Sequence, residues 1–297
     1  MIKIISVFIL CTGFVKLHAQ EKGMLDSMIQ DNRQTQKVSG AFKSTRVINA
    51  HSVEMLGKKN LDVRILHRFG MINQGIKQFF GLDQASMRMG ADYGITDYIT
   101  VGFGRSTFRK ELDAFVKIRF LQQATGYKPI PVSVIVAGGA TLWTEQSFDS
   151  IQPTIGERTS YYLQLVLGKK ITSALSLQAS PIVLYSSRAD NVGSSNTVVA
   201  LGGGGRIKFT KRMAFTFDYH HVLGPKTPGY RSPLSAGIDI ETGGHVFQLH
   251  FSNAVGMNER AYIAQTTDEF FNGDIRFGFN LSRLFFIGKK SKSSGVY

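Results

Sequence analysis

The sequence predicts an all-β chain, a twelve-stranded antiparallel transmembrane β-barrel of the outer-membrane type with short periplasmic turns and longer extracellular loops. Three observations predict it. From Leu61 onward, segments of roughly nine to thirteen residues alternate apolar and polar side chains, the period of a strand and the length a tilted strand needs to cross a bilayer. The connections between them alternate between short and long. Nowhere after the N-terminus does an apolar run reach the ~18 residues of a helical span. Composition agrees: Gly (31) and Phe (22) are abundant and Pro (7) is scarce, which favours closely packed strands over helices.

Residues 1–19 read as a signal peptide. Lys3 opens a short apolar core, Ile4 to Val15, and Leu17-His18-Ala19 ends on a small residue. The run is too short for a comfortable membrane anchor. Cys11 lies inside it without the small residues that precede a lipid-modified cysteine. Removing these residues takes away Lys3, Lys16 and the only cysteine, so the charge falls from +14 to +12 and no disulfide remains. Residues 20–60 are expected to be an N-terminal periplasmic or plug-like segment. Residues 21–45 are polar and read as mobile, with a helical turn around Met24–Ile29. Arg46 to Met55 is placed in the periplasm or against the barrel interior, because a thirteenth spanning strand would leave the N-terminus on the wrong side.

The barrel is expected over residues 61–287 and a basic tail over 288–297. The twelve strands begin with Leu61–Phe69, Ala85–Tyr93, Tyr98–Arg105, Leu112–Gln122, Pro131–Trp143 and Thr159–Lys169. They continue with Ala174–Ser186, Thr197–Phe209, Met213–Leu223, a hairpin within Ala236–Asn253, and Asp274–Phe286. One face is apolar throughout, for example Ile99, Val101, Phe103; Leu163, Leu165, Leu167; Phe215, Phe217; and Phe277, Phe279, Leu281. The other carries the candidate lumen residues Arg64, Arg88, Asp92, Lys117, Arg119, Arg206, Asp218, His220, Asp239, Glu241, His250 and Arg276. Two residues fit poorly. Pro181 removes a ladder donor in mid-strand and calls for a bulge or a rim position. Arg105 falls on the lipid-facing parity and requires the interface or a phase shift.

The hairpin is the best-specified stretch. Gly243-Gly244 tolerate the positive φ of a two-residue turn, which pairs Thr242 with His245, Ile240 with Phe247, Ile238 with Leu249 and Ala236 with Phe251. Glu241 then faces Val246, Asp239 faces Gln248, and Gly237 faces His250. Ile238, Ile240, Phe247, Leu249 and Phe251 should meet lipid, while Asp239, Glu241, Gln248 and His250 should line the lumen. A charge at Leu249 should therefore harm folding more than one at Gln248. The basic residues Lys58-Lys59, Lys128, Lys169-Lys170, Lys211-Arg212 and Lys289-Lys290-Lys292 gather at or beside the short-turn end, where lipid phosphates lie. Dispersed in this way on an exported chain, the positive charge does not predict nucleic-acid binding.

Several motifs resemble one family of outer-membrane barrels, domain of unknown function 5777: HSVE (51–54), ILHRFGMINQGIKQFFGLD (65–83), DYGITDYITVGFGRS (92–106), MNER-AYIAQTT (257–267), GIDIETGGHVFQLHFSN (237–253) and GDIRFGFNLSRLF (273–285). They cover most of the mature chain. The resemblance implies a barrel in the outer membrane of a diderm bacterium. It implies no substrate, catalytic residue or cofactor.

No chemistry-bearing constellation stands out from the sequence. His51-Ser52-Val53-Glu54 holds the residue types of a hydrolase, but nucleophile, base and orienter must meet in space, and a local run at the barrel margin reads better as an anchor. His220 and His221 point to opposite faces of a strand and cannot share a metal; Asp218 with His220 lacks further ligands. Gly202–Gly205 lies in mid-strand with no helix after it, so it is no phosphate loop and suits a bulky neighbour or plug packed against the wall. Met71–Asp83 has near-helical apolar spacing. It and the 254–273 loop are expected to fold over the mouth, enter the lumen, or serve as exposed recognition loops. Twelve strands lie between filled and open barrels, so the lumen should be narrow or plugged. The functional expectation is a porin-like or small-solute passage barrel with no cofactor, no metal site and no catalytic residue. Its partners would be the lipid bilayer and a small polar solute or a periplasmic protein. A structural or adaptor barrel is the alternative, and a hydrolase using His51 or His67 as base is the third reading.

Overall fold

In the computed structural model, which describes residues 35–146, 152–189, 195–224 and 229–288, twelve antiparallel strands close into a barrel. They are β1 (Asn60–Met71), β2 (Ala85–Gly94), β3 (Ile99–Ser106), β4 (Leu112–Leu121), β5 (Ser133–Leu142), β6 (Thr159–Lys170), β7 (Leu175–Ser186), β8 (Thr197–Lys208), β9 (Met213–Leu223), β10 (Leu234–Thr242), β11 (His245–Ser252) and β12 (Arg276–Phe286). Every strand pairs with its sequence neighbours, and β12 closes on β1. All twelve expected segments are present. Closure pairs each strand on both sides, which a chain crossing lipid requires because no water is there to satisfy a free edge.

Side-chain alternation separates the two faces. Phe103, Phe120, Leu163, Leu201, Leu249 and Phe251 point outward and are exposed. The hairpin pairs in the expected register from Ala236↔Phe251 to Thr242↔His245, and Gly243 and Gly244 have φ of 45° and 102°. Leu249→Arg is expected to cost about 2–4 kcal/mol, the penalty for a cation on the lipid face near mid-bilayer. The measurement is the urea midpoint of folding into vesicles, with Leu249→Ala as reference. Gln248 is no tolerant counterpart, as its parity alone suggests. It is buried and bonded to Asp239, Asn280 and Val47, so a charge there also breaks a network.

Pro181 needs neither a bulge nor a rim. It lies in the middle of β7, paired with Leu201 of β8. On its other side the ladder with β6 pairs Gln164 with Ile182 and resumes at Leu167↔Ala179 in the same register. The missing donor costs local pairing and leaves the strand in phase. Arg105 keeps the outward parity and sits one residue from the long-loop end of β3. Register shifts occur instead in β12 between Arg276 and Gly278, and in β4 between Arg119 and Leu121.

The interior is not empty. Residues 41–45, expected to be mobile, and 46–53, expected in the periplasm or against the barrel interior, run inside the barrel: Ala41, Phe42 and Ser44 through Val53 are all buried. Val47 N–H donates to Ala50 O (2.8 Å), Ser52 N–H donates to Thr45 O (3.0 Å) and Arg46 bridges to His51. This finger is therefore a tight hairpin with its tip at Ile48-Asn49. It starts from the short-turn end, where Thr35–Lys37 pairs with Ala124–Gly126 and Asn60 begins β1. Val47 and Val53 pack with inward Ile135 and Val166. From the long-loop end, the β11–β12 connection sends in α1 (Glu259–Ala264), every residue of which is buried. Tyr262, Ile263 and Ala264 pack on inward Phe115, Ala137, Tyr162, Ile182, Leu184 and Ala200. Asn253, Ala254, Met257 and Asn258, which lead into the helix, are buried with it, while residues 267–275 and 72–82 lie nearer the surface, with Ile76, Phe79, Phe80 and Phe271 exposed. The helical expectation for Met71–Asp83 gives way to 3-10 turns over Ile72–Gln74 and Ile76–Gly81.

Candidate functional site

The candidate site is the lumen where the finger, α1 and the wall meet. A carboxylate from the wall holds the fingertip. Asp218 Oδ2 accepts the backbone N–H of Ile48 (3.2 Å), Asn49 (2.7 Å) and Ala50 (3.0 Å). Three consecutive donors on one anion make a charge-assisted clamp. Around it, Asn280 Nδ2 donates to Ile48 O (3.0 Å), Gln248 Nε2 to Val47 O, and Gln178 Nε2 to His51 O (2.8 Å). Arg68 Nη2 reaches Asn49 Oδ1 at 2.8 Å, and Asn49 Nδ2 donates to Ser235 Oγ at 2.8 Å. Lower on the finger, Lys117 Nζ donates to Thr45 O (3.1 Å) and Glu54 O (2.6 Å). Arg64 donates to Thr45 Oγ1 and to Asp62 Oδ2 (2.6 Å), with Asp92 3.5 Å away. The buried backbone of an irregular segment is thus supplied with partners by inward side chains.

The two plugs meet at Glu259. Its Oε1 lies 2.7 Å from Arg46 Nη1 and 3.3 Å from His51 Nε2, and all three side chains are almost fully buried. Arg46 Nη1 also donates to Asn49 O (2.6 Å), and His51 Nε2 lies 3.0 Å from Tyr162 Oη. Burial disfavours the charge on Arg46, but Glu259, together with smaller contributions from Tyr162 and Asp92, raises its pKa. Burial, and then the neighbouring positive charge of Arg46, holds His51 well below its usual value, so the imidazole beside Glu259 is neutral. α1 is fixed from its other side by Glu111, whose carboxylate binds Arg260 Nη1 (2.6 Å) and Asn258 Nδ2 (2.6 Å). Asn258 also caps the helix through Ala261 N–H (2.9 Å).

The residues expected to line the lumen all have inward parity; Arg119 and Glu241 are half-buried and the others buried. The structure gathers them into separate groups. Arg206 joins Glu241 (2.7 Å) and Asp239 (3.6 Å). Arg88 pairs with Asp113, Arg276 with Asp268 (2.5 Å), and Arg119 with Gln122 (3.2 Å). His220 packs edge-on against Tyr262, 5.2 Å between ring centres, and His250 is buried beside Gly278. Asp218 and His220 do not form a ligand pair, because Asp218 is committed to the finger. His221 faces outward, 3.2 Å from Tyr219 Oη.

Inside the barrel rather than at its margin, His51-Ser52-Val53-Glu54 forms no hydrolytic triad. Ser52 Oγ donates to Ser44 O (2.6 Å), Glu54 Oε1 accepts from Ala41 N–H (2.7 Å), and His51 is engaged with Tyr162 and Glu259. His67 lies on the lipid side, stacked on Phe279 at 4.9 Å. Gly168 of β6 opens space for the finger, since a Cβ there would lie 3.3 Å from Val53 Cβ and closer still to its methyls, whereas one on Gly204 of β8 would meet Val47 at an ordinary 3.5 Å. Sequence reasoning missed Arg46, Glu259, Tyr162 and Tyr262. The sequence holds one signal for them, the charged Asn258-Glu259-Arg260 run before an apolar YIA in a loop.

At the short-turn mouth a cavity of about 450 Å³ lies between the finger stem and the β10–β11 turn, lined among others by Lys43, Glu54, Asp62, Arg212 and Glu241. A lipid-facing belt, a closed ladder and a polar interior filled from both mouths define a membrane-bound barrel of the bacterial outer membrane. The chain belongs to the family described as membrane bound beta barrel domain (DUF5777), which matches residues 42–285. The match begins within the finger, so the finger is part of the family's domain. Among solved structures the chain is similar to the NanC porin (11% identity, TM-score 0.49, covering 76% of this chain and 98% of that one). It is also similar to the KdgM porin (9%, 0.45, 76% and 99%) and to OmpT, an outer membrane protein of Vibrio cholerae (10%, 0.37, 78% and 99%). No curated protein sequence matches the chain.

Proposed function

We propose that the protein is a porin-like, non-enzymatic passage barrel for small polar solutes, shut at rest by its own finger from the periplasmic side and by α1 from the outside. The observation that supports this reading is how the finger is held. Most of its attachments are hydrogen bonds and ion pairs, from Asp218, Asn280, Gln178, Lys117 and Glu259; the apolar contact is one cluster in which Ala41, Phe42, Val47 and Val53 meet only Ile135 and Val166 of the wall. Water or a polar solute can take over such bonds, whereas a large apolar core would have no substitute in an aqueous passage. The wall behind the finger carries charges of both signs, which suits polar solutes without strong selection by charge.

A reversible lock tests the reading. Val53→Cys with Gly168→Cys joins finger to wall, since the two Cβ positions lie 3.3 Å apart, close to disulfide spacing. The only native cysteine, Cys11, lies in the expected signal peptide. Reduced protein in liposomes should admit small sugars and amino acids, oxidised protein should not, and reductant should restore uptake. Uptake that persists under oxidation would remove the finger as the closure. Vesicles that stay impermeable with reduced and wild-type protein alike would overturn passage altogether. The adaptor reading, which the filling of the lumen from both mouths also favours, would then stand.

A further inference from the structure

The geometry of the outer rim points to a lateral notch between β8 and β9 that takes an unbranched alkyl chain from the bilayer. The ladder between these strands ends at Val199↔Leu223. β8 runs on for two residues, Thr197 and Val198, and among the described residues these pair only with β7, at Tyr185 and Leu184. Gly224, which follows Leu223, lies outside the ladder, so the described wall is parted above the last pair. A mainly apolar cavity of about 200 Å³ lies at the parting, lined by Val198, Val199, Val222, Leu223, Ile263 and Ala264, with Ser195, Thr197, Tyr230 and Arg231 supplying its polar part.

Those residues belong to both sides of the wall. Val199 and Leu223 project outward and are 38% and 48% exposed. They continue the lipid-facing belt formed by Val183, Leu201 and Tyr219 on the same three strands. Val198 and Val222 turn inward and pack on the cluster that holds Tyr262, Ile263 and Ala264 of α1. The notch is thus continuous with the membrane surface on one side and touches the lumen helix on the other. Its deep wall presents methyl and methylene groups, where a polar solute would forfeit its hydrogen bonds and an alkyl chain would not. Arg231 at the rim is already engaged with Glu269 (2.7 Å), so the site selects a chain and not a headgroup. A chain seated there lies against the helix whose Glu259 holds Arg46 of the finger.

The test is methyl NMR of the full barrel in phosphatidylcholine nanodiscs, with Ile, Leu and Val methyls labelled. The methyls of Ile263 and Val222, on the lumen side of the wall, should show cross-relaxation from acyl-chain methylenes as Leu223 does. Filling the notch by Ala264→Phe, or independently by Val198→Phe, should remove it while Leu249 on the lipid face keeps its own. In a second arm, perdeuterated lipid is combined with protonated dodecanoate. Contacts seen only in that arm would keep the alkyl site and overturn the bilayer as its source. Lipid contacts at Leu223 and Leu249, with none at Ile263 and Val222 in either arm, would overturn the notch. The readout does not depend on solute passage, so it stands or fails apart from the gating scheme.

Discussion

Glu259→Ala is expected to loosen both closures at once. The substitution strands Arg46 as a buried guanidinium and takes the carboxylate from His51, on a finger that touches α1 through this carboxylate but enters from the opposite mouth. Breaking one side of a buried pair typically costs about 3–5 kcal/mol. The loss should appear as faster native-state hydrogen exchange in two stretches far apart in sequence, residues 45–52 and 257–264, with the strand amides little changed. Glu259→Gln, which keeps an acceptor of the same shape, should fall between the two. If only the α1 amides respond, the finger is held independently and the two closures are uncoupled.

Asp218→Ala is expected to release the fingertip while leaving α1 in place. One carboxylate oxygen serves three backbone donors, and each buried donor left unpaired costs about 1–3 kcal/mol. A total of about 3 kcal/mol or more corresponds to a drop of roughly a hundredfold in the protection of the amides of residues 48–50. Asp218→Asn keeps an acceptor but loses the charge and should recover part of the protection. Unchanged exchange in the alanine variant would show that Asn280, Gln248 and Arg68 suffice to hold the tip.

The wall was readable from sequence because each of its signals has a fixed period. Gly243-Gly244 set the hairpin register, alternation sorted Leu249 from Gln248, and loop lengths marked the two ends. The finger has no such period. Ser44 through Val53 mixes Arg46, Asn49 and His51 with Val47, Ile48 and Val53, and an irregular segment gains its burial only from partners distant in the chain, such as Asp218 and Glu259. A trace of it was nevertheless present in the wall. β5, β6 and β7 carry apolar residues at Ile135, Ala137, Val166, Ile182 and Leu184 on the inward face, and these are the positions that receive the finger and α1. A barrel with a watery lumen has no use for them. The lateral notch was not legible at all, since it depends on where one ladder stops and its neighbour continues.

The fingertip also bears on how the barrel comes together. β1 and β12 are the first and last strands, and their pairing joins residues more than 200 positions apart, as in Leu66↔Asn280. Contacts of such long range are the slowest to form, because the chain entropy is lost before the contact is gained. The finger spans this seam. Asn49 is held by Arg68 of β1, Ile48 by Asn280 of β12, and Arg68 Nη1 meets Asn280 Oδ1 at 3.2 Å across the join. Because the finger leads directly into β1, it travels with the first strand from the moment of synthesis. Its tip therefore carries polar partners for both strands to the seam that their pairing closes, so the join is held by side chains as well as by the ladder.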